Sequence, residues 1–310
     1  MRNHFLRAGR VANLPSDSGG GSSIVTTDLR VHYDFSNTSC WTGNNSSNAA
    51  DYTVNNLAND YTDALFRSRT GSSNTFQHDS SSPVIDFISS DGGGCLEYDG
   101  SRLTDDDDRC GLFIAGSVTT TDTSNTRYNM PTVTGTNNLF NGIGTGSFTY
   151  ELWIKLDFNN NKTWNALSWW GDSTKYGFAT YMFGNSASSN AGKILLFTKD
   201  NSGTSQYKYV DFSGSSNSGF SDWNHLVYSK SSASTDNAKI YVNNSLDDTF
   251  ANDQSLSELK YANLPYAWGG SSTGNYPPHR YGIFRFYKGK ALTSSEVTTN
   301  WNAQKSRFGH

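Results

Sequence analysis

Several features that define other protein classes are scarce in this chain of 310 residues. No apolar run is longer than a β-strand, which excludes a membrane-spanning helix. Charged residues make up only 17% of the chain and the net charge is −4, which argues against a nucleic-acid-binding protein, since that class needs a basic face. Neither a P-loop nor a G-x-G-x-x-G motif is present, so no nucleotide site is indicated.

Cysteine is equally rare. The three cysteines (Cys40, Cys95 and Cys110) lack C-x-x-C spacing, so neither a zinc site nor a full disulfide framework is indicated. Buried free thiols in a protein made in the cytoplasm are favoured, and a Cys95–Cys110 bridge is the alternative. Residues 1–13 include no continuous apolar stretch of signal-peptide length, so we expect no secretory signal.

Aromatic residues, by contrast, reach 14% of the chain, and they alternate with turn-forming clusters of Gly, Ser and Asn. This composition is typical of an all-β protein. Residues 36–82 show no sustained period and are expected to form loops or short excursions. The strand candidates are 29–35, 84–88, 94–98, 111–115, 147–156, 176–183, 193–198, 206–212, 223–229, 238–243 and 281–287.

The clearest strand covers residues 147–156. Its alternate residues from Phe148 to Leu156 are apolar and predict a core-facing side. Thr149, Glu151, Trp153 and Lys155 fall on the other, amphipathic side. This pattern is typical of a sheet in a β-sandwich.

One helix is signalled near the end of the chain. Thr293 and Glu296 have the spacing of a capping box, and Leu292 with Val297 has that of a hydrophobic staple. Val297 and Trp301 share a face, so this short helix should pack one side against the sandwich. The predicted fold is an all-β, antiparallel β-sandwich with an extended N-terminal arm and a short C-terminal helix.

Five segments form a recognisable series along the chain. They are GGGCLEYDGSRL (92–103), GSFTYELWIKL (146–156), WNHLVYSK (223–230), AKIYVNNSL (238–246) and YGIFRFYKGKALTSSEV (281–297). Together they resemble the concanavalin A-like, laminin-G-type jelly-roll superfamily, although Asn244 stands where the family usually has glycine. The resemblance implies a jelly roll, but this fold hosts lectins, glycosidases, receptor modules and virion proteins alike.

Glycoside hydrolysis requires an acid and a nucleophile at a defined separation. The glucanases of this superfamily carry an E-x-D-x-x-E strand, and none of the four glutamates lies in that pattern. Glu151 and Asp157 share a strand face, but six residues separate them by roughly 20 Å. A pair from separate strands, such as Glu97 or Asp99 with Glu151, remains the alternative. We therefore predict a protein that is not an enzyme.

The metal and nucleophile candidates are weak. Asp105 and Asp107 belong to a run of four aspartates that resembles a calcium-binding loop, but a solvated acidic loop is favoured because ligand spacing of the EF-hand type is missing. No cofactor is predicted. His225 lies in a W-x-H segment without a G-x-S-x-G elbow, so a packed, hydrogen-bonded histidine is expected there.

Aromatic side chains in or near predicted turns are the candidates for sugar binding. Rigid aromatic rings stack on sugar rings at low entropic cost, and neighbouring short polar side chains bond the hydroxyls. The alternative is that these rings close the ends of the sandwich, which we favour for Trp153, Trp169, Trp223 and Trp301. The preferred sugar-binding candidates are Trp170, Trp268, Tyr276 and Tyr266.

The first 24 residues form an arm and a Gly/Ser linker before the jelly roll of residues 25–310. Aromatic and Arg residues are enriched in interface hot spots, so residues 1–14 are a candidate anchor. The segment NWNAQKSRFG (300–309) also resembles domains of tailed-phage structural proteins. The anchoring candidates are Arg2, Phe5, Leu6, Arg7 and Arg10.

The resulting hypothesis is a non-enzymatic virion protein: a capsid decoration, head-fibre or tail-associated subunit. Its expected partners are capsid, portal or tail subunits, further copies of itself and a host-surface glycan. A carbohydrate-active enzyme resembling an endoglucanase, or a secreted lectin, is the alternative.

Overall fold

The chain folds into two antiparallel β-sheets packed face to face, with a helix on one outer side. The computed structural model describes residues 23–41, 52–58, 64–69, 85–98, 109–114, 118–121, 131–133, 139–158, 165–171, 176–183, 190–199, 205–212, 220–233, 235–252, 261–268 and 278–310.

The first nine strands are β1 (Leu29–Asp34), β2 (Tyr52–Val54), β3 (Ala64–Arg69), β4 (Ile85–Ile88), β5 (Cys95–Tyr98), β6 (Arg109–Phe113), β7 (Val118–Thr121), β8 (Pro131–Val133) and β9 (Phe148–Leu156). The later elements are β10 (Asn165–Gly171), β11 (Tyr176–Met182), β12 (Lys193–Lys199), β13 (Ser205–Asp211), β14 (Asn224–Lys230), β15 (Ala238–Val242), β16 (Ser245–Phe250), β17 (Tyr261–Trp268), β18 (His279–Lys288), helix α1 (Ser294–Gln304) and a 3-10 turn (Lys305–Phe308).

The first sheet has the order β16-β15-β14-β9-β18-β5-β4, and β1 also pairs with β18. The second sheet has the order β13-β12-β11-β10-β17-β6-β3-β2, and β7 pairs with β8 separately. This arrangement confirms the predicted antiparallel sandwich.

The core lies between the two sheets. Strand β9 contributes its alternate residues from Phe148 to Leu156, as predicted. Strands β11 and β12 of the second sheet contribute Phe178, Met182 and Leu196. Most inner side chains of both sheets are apolar and buried, and the buried polar pair Ser168 and Thr180 is hydrogen-bonded at 2.8 Å. The hydrophobic effect therefore holds the two layers together.

The outer side of β9 differs from the sequence-based expectation of an amphipathic surface. Trp153 is fully buried, since the indole of Trp301 from α1 stacks on it at 5.1 Å and the Phe308 ring at 4.3 Å. The sequence of β9 alone gives no sign of this cover, because residues far along the chain supply it.

The start of helix α1 confirms the predicted capping box. The Thr293 hydroxyl accepts from the Glu296 backbone N–H at 3.3 Å, and the Glu296 carboxylate accepts from the Thr293 backbone N–H at 2.9 Å. Leu292 and Val297 lie in one buried cluster, against which Ile24 and Val25 pack. None of the described helices has the length and apolar character that crossing a membrane requires.

Seven strands were not predicted. Residues 36–82, expected to be loops, contain β2 and β3, and strands β7, β8, β10, β16 and β17 were also missed. Strand β17 was missed because Pro265 normally argues against a strand, but here it lies at a register shift between Leu264 and Tyr266.

Strand β16 is a polar edge strand that follows a two-residue turn, Asn243–Asn244, in which both φ angles are positive. Asparagine tolerates that conformation, which explains Asn244 at a position where the family usually has glycine.

Candidate functional site

An aromatic surface lies on the outer side of the second sheet, across β11, β12 and β13. We call it the aromatic face; its members are Tyr181, Phe183, Leu195, Phe197, Tyr207 and Tyr209. Tyr181 pairs with Leu195 and Leu195 with Tyr209, while Phe197 pairs with Tyr207. The intervening residues Ile194, Leu196 and Val210 point into the core, so these strands are apolar on both sides.

The aromatic face has a buried base and an exposed rim. Phe183 and Leu195 are buried, whereas Tyr207 keeps 57% of its surface exposed. The Tyr209 ring lies 5.6 Å from Phe183 and 5.9 Å from Tyr207, the latter pair being nearly perpendicular at 77°. These contacts restrain the tyrosine rings and leave one aromatic ring accessible to a ligand.

A polar boundary lies at the end of these strands. The Lys193 ammonium is 3.8 Å from the Asp211 carboxylate, and both side chains are partly or largely exposed. The surface therefore offers an accessible ring at one end of β13 and, four residues along the same strand, a pair of hydrogen-bonding groups. That combination suits a ligand with both apolar faces and hydroxyl groups.

The most concentrated set of ionisable groups lies elsewhere, between the first sheet and helix α1. We call it the buried ion cluster; it consists of Glu151, His225, Arg285 and Asn300. The Glu151 carboxylate accepts from Arg285 Nη1 and from Asn300 Nδ2, both at 2.8 Å, and it lies 2.9 Å from His225 Nε2. All four side chains are fully buried.

Electrostatics in this cluster favour the ionised carboxylate. Burial on its own raises the pKa of Glu151, but the Arg285 charge and the hydrogen bonds from His225 and Asn300 outweigh it and lower the pKa to about 2. A carboxylate that is ionised, fully bonded and closed to solvent is suited to holding helix α1 on the sheet. It is poorly suited to proton transfer with a substrate.

The other described acidic candidate is also engaged in ion pairs. Glu97 accepts from Arg280 Nε at 2.7 Å, and the same guanidinium bonds Asp91. Asp91 in turn accepts from Trp223 Nε1 at 2.8 Å. The proposed pairing of Glu97 with Glu151 is therefore not formed, since each glutamate is held by its own arginine.

A family model for the concanavalin A-like lectin/glucanase superfamily matches residues 115–298, more than half of the chain. This chain belongs to that superfamily. No curated protein sequence matches it.

Solved structures with the same lectin-like jelly roll are similar to the chain at low sequence identity. One is the binding domain of botulinum neurotoxin DC in complex with SialylT, at 11% identity and a TM-score of 0.55, covering 90% of this chain and 52% of the other. Another is the binding domain of Paraclostridial mosquitocidal protein 1, at 12% identity and a TM-score of 0.54, covering 89% of this chain and 52% of the other. The chain thus spans about half the length of these domains.

The structure separates the sugar-binding candidates of this lectin-like domain. Trp170 lies in β10 and pairs with Phe178, which is a core residue. Its neighbour Trp169 pairs with Ala179, and Ala179 pairs in turn with Phe197 of the aromatic face. Tyr266 and Trp268 lie in β17 and pair with residues of β6. All three of the candidates placed by the structure are therefore in strands, not in turns. Tyr276 lies outside the described residues.

Sequence reasoning missed the aromatic face, although its signal was present. The strands 176–183, 193–198 and 206–212 were predicted, and each of them carries apolar side chains, most of them aromatic, at alternate positions on its outer side. Alternation of aromatic residues on the second side of three successive strands is the pattern that reveals such a face.

Some of the remaining candidates lie outside the described residues and others lie within them. The arm residues Arg2, Phe5, Leu6, Arg7 and Arg10 and the acidic residues Asp105 and Asp107 fall outside the described residues. Within the ranges that the structure covers, no group of three His, Cys, Asp or Glu side chains can hold a metal ion.

Cys40 and Cys95 are buried free thiols, and burial raises the pKa of Cys95 to about 12. His225 is packed against Trp153 and hydrogen-bonded, which confirms its expected role.

Proposed function

We propose that this protein is a non-enzymatic carbohydrate-binding protein whose aromatic face contacts sugar rings. The observation that carries the proposal is Tyr207, a ring more than half exposed on a rigid sheet and braced by Tyr209. Rings held in this way lose little entropy on binding. The superfamily includes lectins, and one structural neighbour is a binding domain described in complex with SialylT.

The ion pairs of the acidic residues support the non-enzymatic part of this proposal. Glu151 lies in the buried ion cluster and Glu97 is bonded to Arg280, so neither is poised as a general acid. An endoglucanase-like activity requires two carboxyl groups facing one open site. Incubating the purified protein with polysaccharides and assaying reducing ends tests this alternative, and reproducible cleavage would overturn the non-enzymatic assignment.

A glycan array followed by calorimetry on the positive glycans tests the binding site. Tyr207→Ala should weaken binding about tenfold, the loss typical of an interface anchor, while Tyr207→Phe retains most of it. The matched control is Leu246→Ala, because Leu246 is a comparably exposed apolar residue, at 51%, on β16 of the other sheet. Equal binding by the Tyr207 and Leu246 variants would remove the aromatic face from the proposal.

We further propose that the protein is a virion component, made in the host cytoplasm and anchored through residues 1–14 to capsid, portal or tail subunits, with copies associating as an oligomer. The support is the sequence of the arm and the resemblance of residues 300–309 to domains of tailed-phage structural proteins. The structure adds the position of Val25, which follows the arm in the chain. Val25 is bonded through its N–H to Asn300 and through its carbonyl to Tyr287, on the outer side of the first sheet. The aromatic face is on the opposite side of the sandwich, so an anchored domain presents it outward.

Deletion of residues 2–14 tests the anchoring separately from the fold. The deletion spares the contacts of Val25, so the melting temperature should stay unchanged while incorporation into particles is lost. A variant with Arg2, Arg7 and Arg10 changed to Gln provides a milder form of the same test. Unchanged incorporation of both variants, or secretion of the protein as a free lectin, would refute the virion role.

A further inference from the structure

Strand β13 is the last strand of the second sheet and carries a row of side chains on its outer side. Among the described strands it pairs with β12 alone, and that ladder runs from Ser205 to Asp211 without a register shift. Val210 points into the core, so the alternating residues Tyr207, Tyr209 and Asp211 share the outer side. We call these three residues the β13 row; it extends from the accessible ring of the aromatic face to a carboxylate.

The groups of the β13 row are open to a ligand. None of the described residues hydrogen-bonds the hydroxyl of Tyr207 or of Tyr209. The Asp211 side chain keeps 78% of its surface exposed, and its ion pair with Lys193 is as long as 3.8 Å. A carboxylate has about four acceptor positions, so one distant cation leaves most of them available. An edge strand also presents backbone N–H and C=O groups beside these side chains.

The length of the row determines the size of the ligand. Tyr207 and Asp211 are four residues apart, which corresponds to roughly 13 Å along an antiparallel strand. One pyranose ring is much shorter, so a ligand that stacks on Tyr207 and bonds Asp211 contains at least two sugar residues. The rings of Tyr207 and Tyr209 lie at 77° to each other, so a flat chain cannot stack on both. The contacts beyond Tyr207 are therefore polar.

Carboxylates outnumber cations at the Asp211 end of the row. Burial and then the charges of Asp248 and Asp211 raise the pKa of Asp247 on β16, which shows that the three carboxylates lie within reach of one another. The Lys208 ammonium is 2.8 Å from Asp248, and Lys193 is the partner of Asp211. Three carboxylates thus stand against two ammonium groups. A negative field of this kind repels an anionic ligand.

We infer that the β13 row binds a neutral oligosaccharide of at least two sugar residues and that Asp211 discriminates against acidic sugars. The inference rests on the proposed function and names its ligand class. One sugar ring stacks on Tyr207, and the hydroxyls of another donate to the Asp211 carboxylate, in hydrogen bonds strengthened by its charge. A sialic or uronic acid would instead bring its own carboxylate towards that of Asp211, which is unfavourable.

A glycan array that presents neutral oligosaccharides beside their sialylated and uronic-acid counterparts tests the inference on the full chain. The neutral member of each bound pair should give the stronger signal. Asp211→Asn should weaken binding of the neutral glycans about tenfold in calorimetry, the loss expected for a hydrogen bond to a charged group. The same variant should narrow the difference between neutral and acidic glycans. Asp222→Asn is the matched control, because Asp222 is an exposed acidic residue that precedes β14 of the other sheet.

Calorimetry with glucose, galactose, cellobiose, lactose and the glycans found on the array measures the dependence on length. Disaccharides that bind should do so about tenfold more tightly than their component monosaccharides, since they reach a second contact. The melting temperature of Asp211→Asn should equal that of the wild type, because an exposed side chain contributes little to stability. A loss of binding by this variant is then a property of the row.

The outcomes separate this inference from the proposed function. Equal binding of acidic and neutral glycans, equal affinity of monosaccharides and disaccharides, or unchanged binding by Asp211→Asn would each overturn the inference. If Tyr207→Ala still abolishes binding in those cases, the proposed function stands. An array on which no glycan binds through Tyr207 would overturn both.

Discussion

The buried ion cluster gives a quantitative prediction about stability. Arg285→Met removes the cation whose Nη1 lies 2.8 Å from the Glu151 carboxylate and leaves that carboxylate buried without it. Breaking a fully buried pair in this way typically costs 3–5 kcal/mol. The lowered pKa of Glu151 agrees in direction, since the Arg285 charge favours the ionised carboxylate against the effect of burial.

A double-mutant cycle measures the pair itself. Glu151→Gln and Arg285→Met should each lower the free energy of unfolding by about 3 kcal/mol or more, whereas the double variant should lose much less than their sum. Urea unfolding at pH 7, followed by the fluorescence of the eight tryptophans, which include the stacked Trp153 and Trp301, provides the assay. Lys239→Gln serves as the surface control. If the two single losses simply add in the double variant, the pair contributes no coupling and the reasoning is refuted.

The same cluster predicts acid sensitivity. The folded-state pKa of Glu151 is lowered, so the stability that ionised Glu151 contributes is fully present above pH 4.5 and is lost as the pH falls towards about 2. Glu151→Gln should lose stability less steeply than the wild type in this window, and the remaining slope comes from other carboxylates with lowered pKa values, namely Asp34, Asp91 and Glu296. An identical acid dependence of both proteins would contradict the assignment.

Two further predictions concern neighbours of this cluster. Burial, with a smaller effect of the Arg285 charge, lowers the pKa of His32 from 6.5 to about 3, so as the pH falls below 6.5 the unfolded chain takes up a proton that the folded protein does not. The free energy of unfolding should therefore fall by up to about 1.4 kcal/mol per pH unit. His32→Leu should remove this contribution to the slope, which urea titrations between pH 6 and 4 measure. An unchanged slope would exclude His32 as its source. Gly282 lies in a bulge of β18, where an added Cβ atom would lie 2.6 Å from the Phe308 ring. Gly282→Ala should lower the free energy of unfolding by about 1–3 kcal/mol, with Phe308→Leu in the same background recovering part of the loss; a neutral Gly282→Ala would show that the ring moves aside freely.

Sequence patterns predicted those features of the fold that depend on residues close together in the chain. The alternation along β9 identified its core side, and the spacing of Thr293 and Glu296 located the start of α1. Both features depend on residues within one element or one turn. They could be inferred because the relevant partners are neighbours in sequence.

Features that depend on distant partners could not be inferred in the same way. The outer side of β9 was predicted to be amphipathic, and only the docking of α1 shows that it is closed. The bond from the Val25 N–H to Asn300 likewise joins residues that are 275 positions apart. Pairing between ends of a chain leaves no periodic signal in either segment.

The joining of Val25 to Asn300 and of β1 to β18 has a consequence for biosynthesis. A ribosome adds about 5–20 residues per second, so β1 emerges many seconds before its partner strand and the covering helix. During that interval the apolar side chains of the strands already synthesised have no partner strand or helix to bury them. We therefore expect cooperative, largely post-translational folding with a slow rate typical of long-range β-pairing, and a nascent chain that benefits from a chaperone holding it until residue 300 has been released.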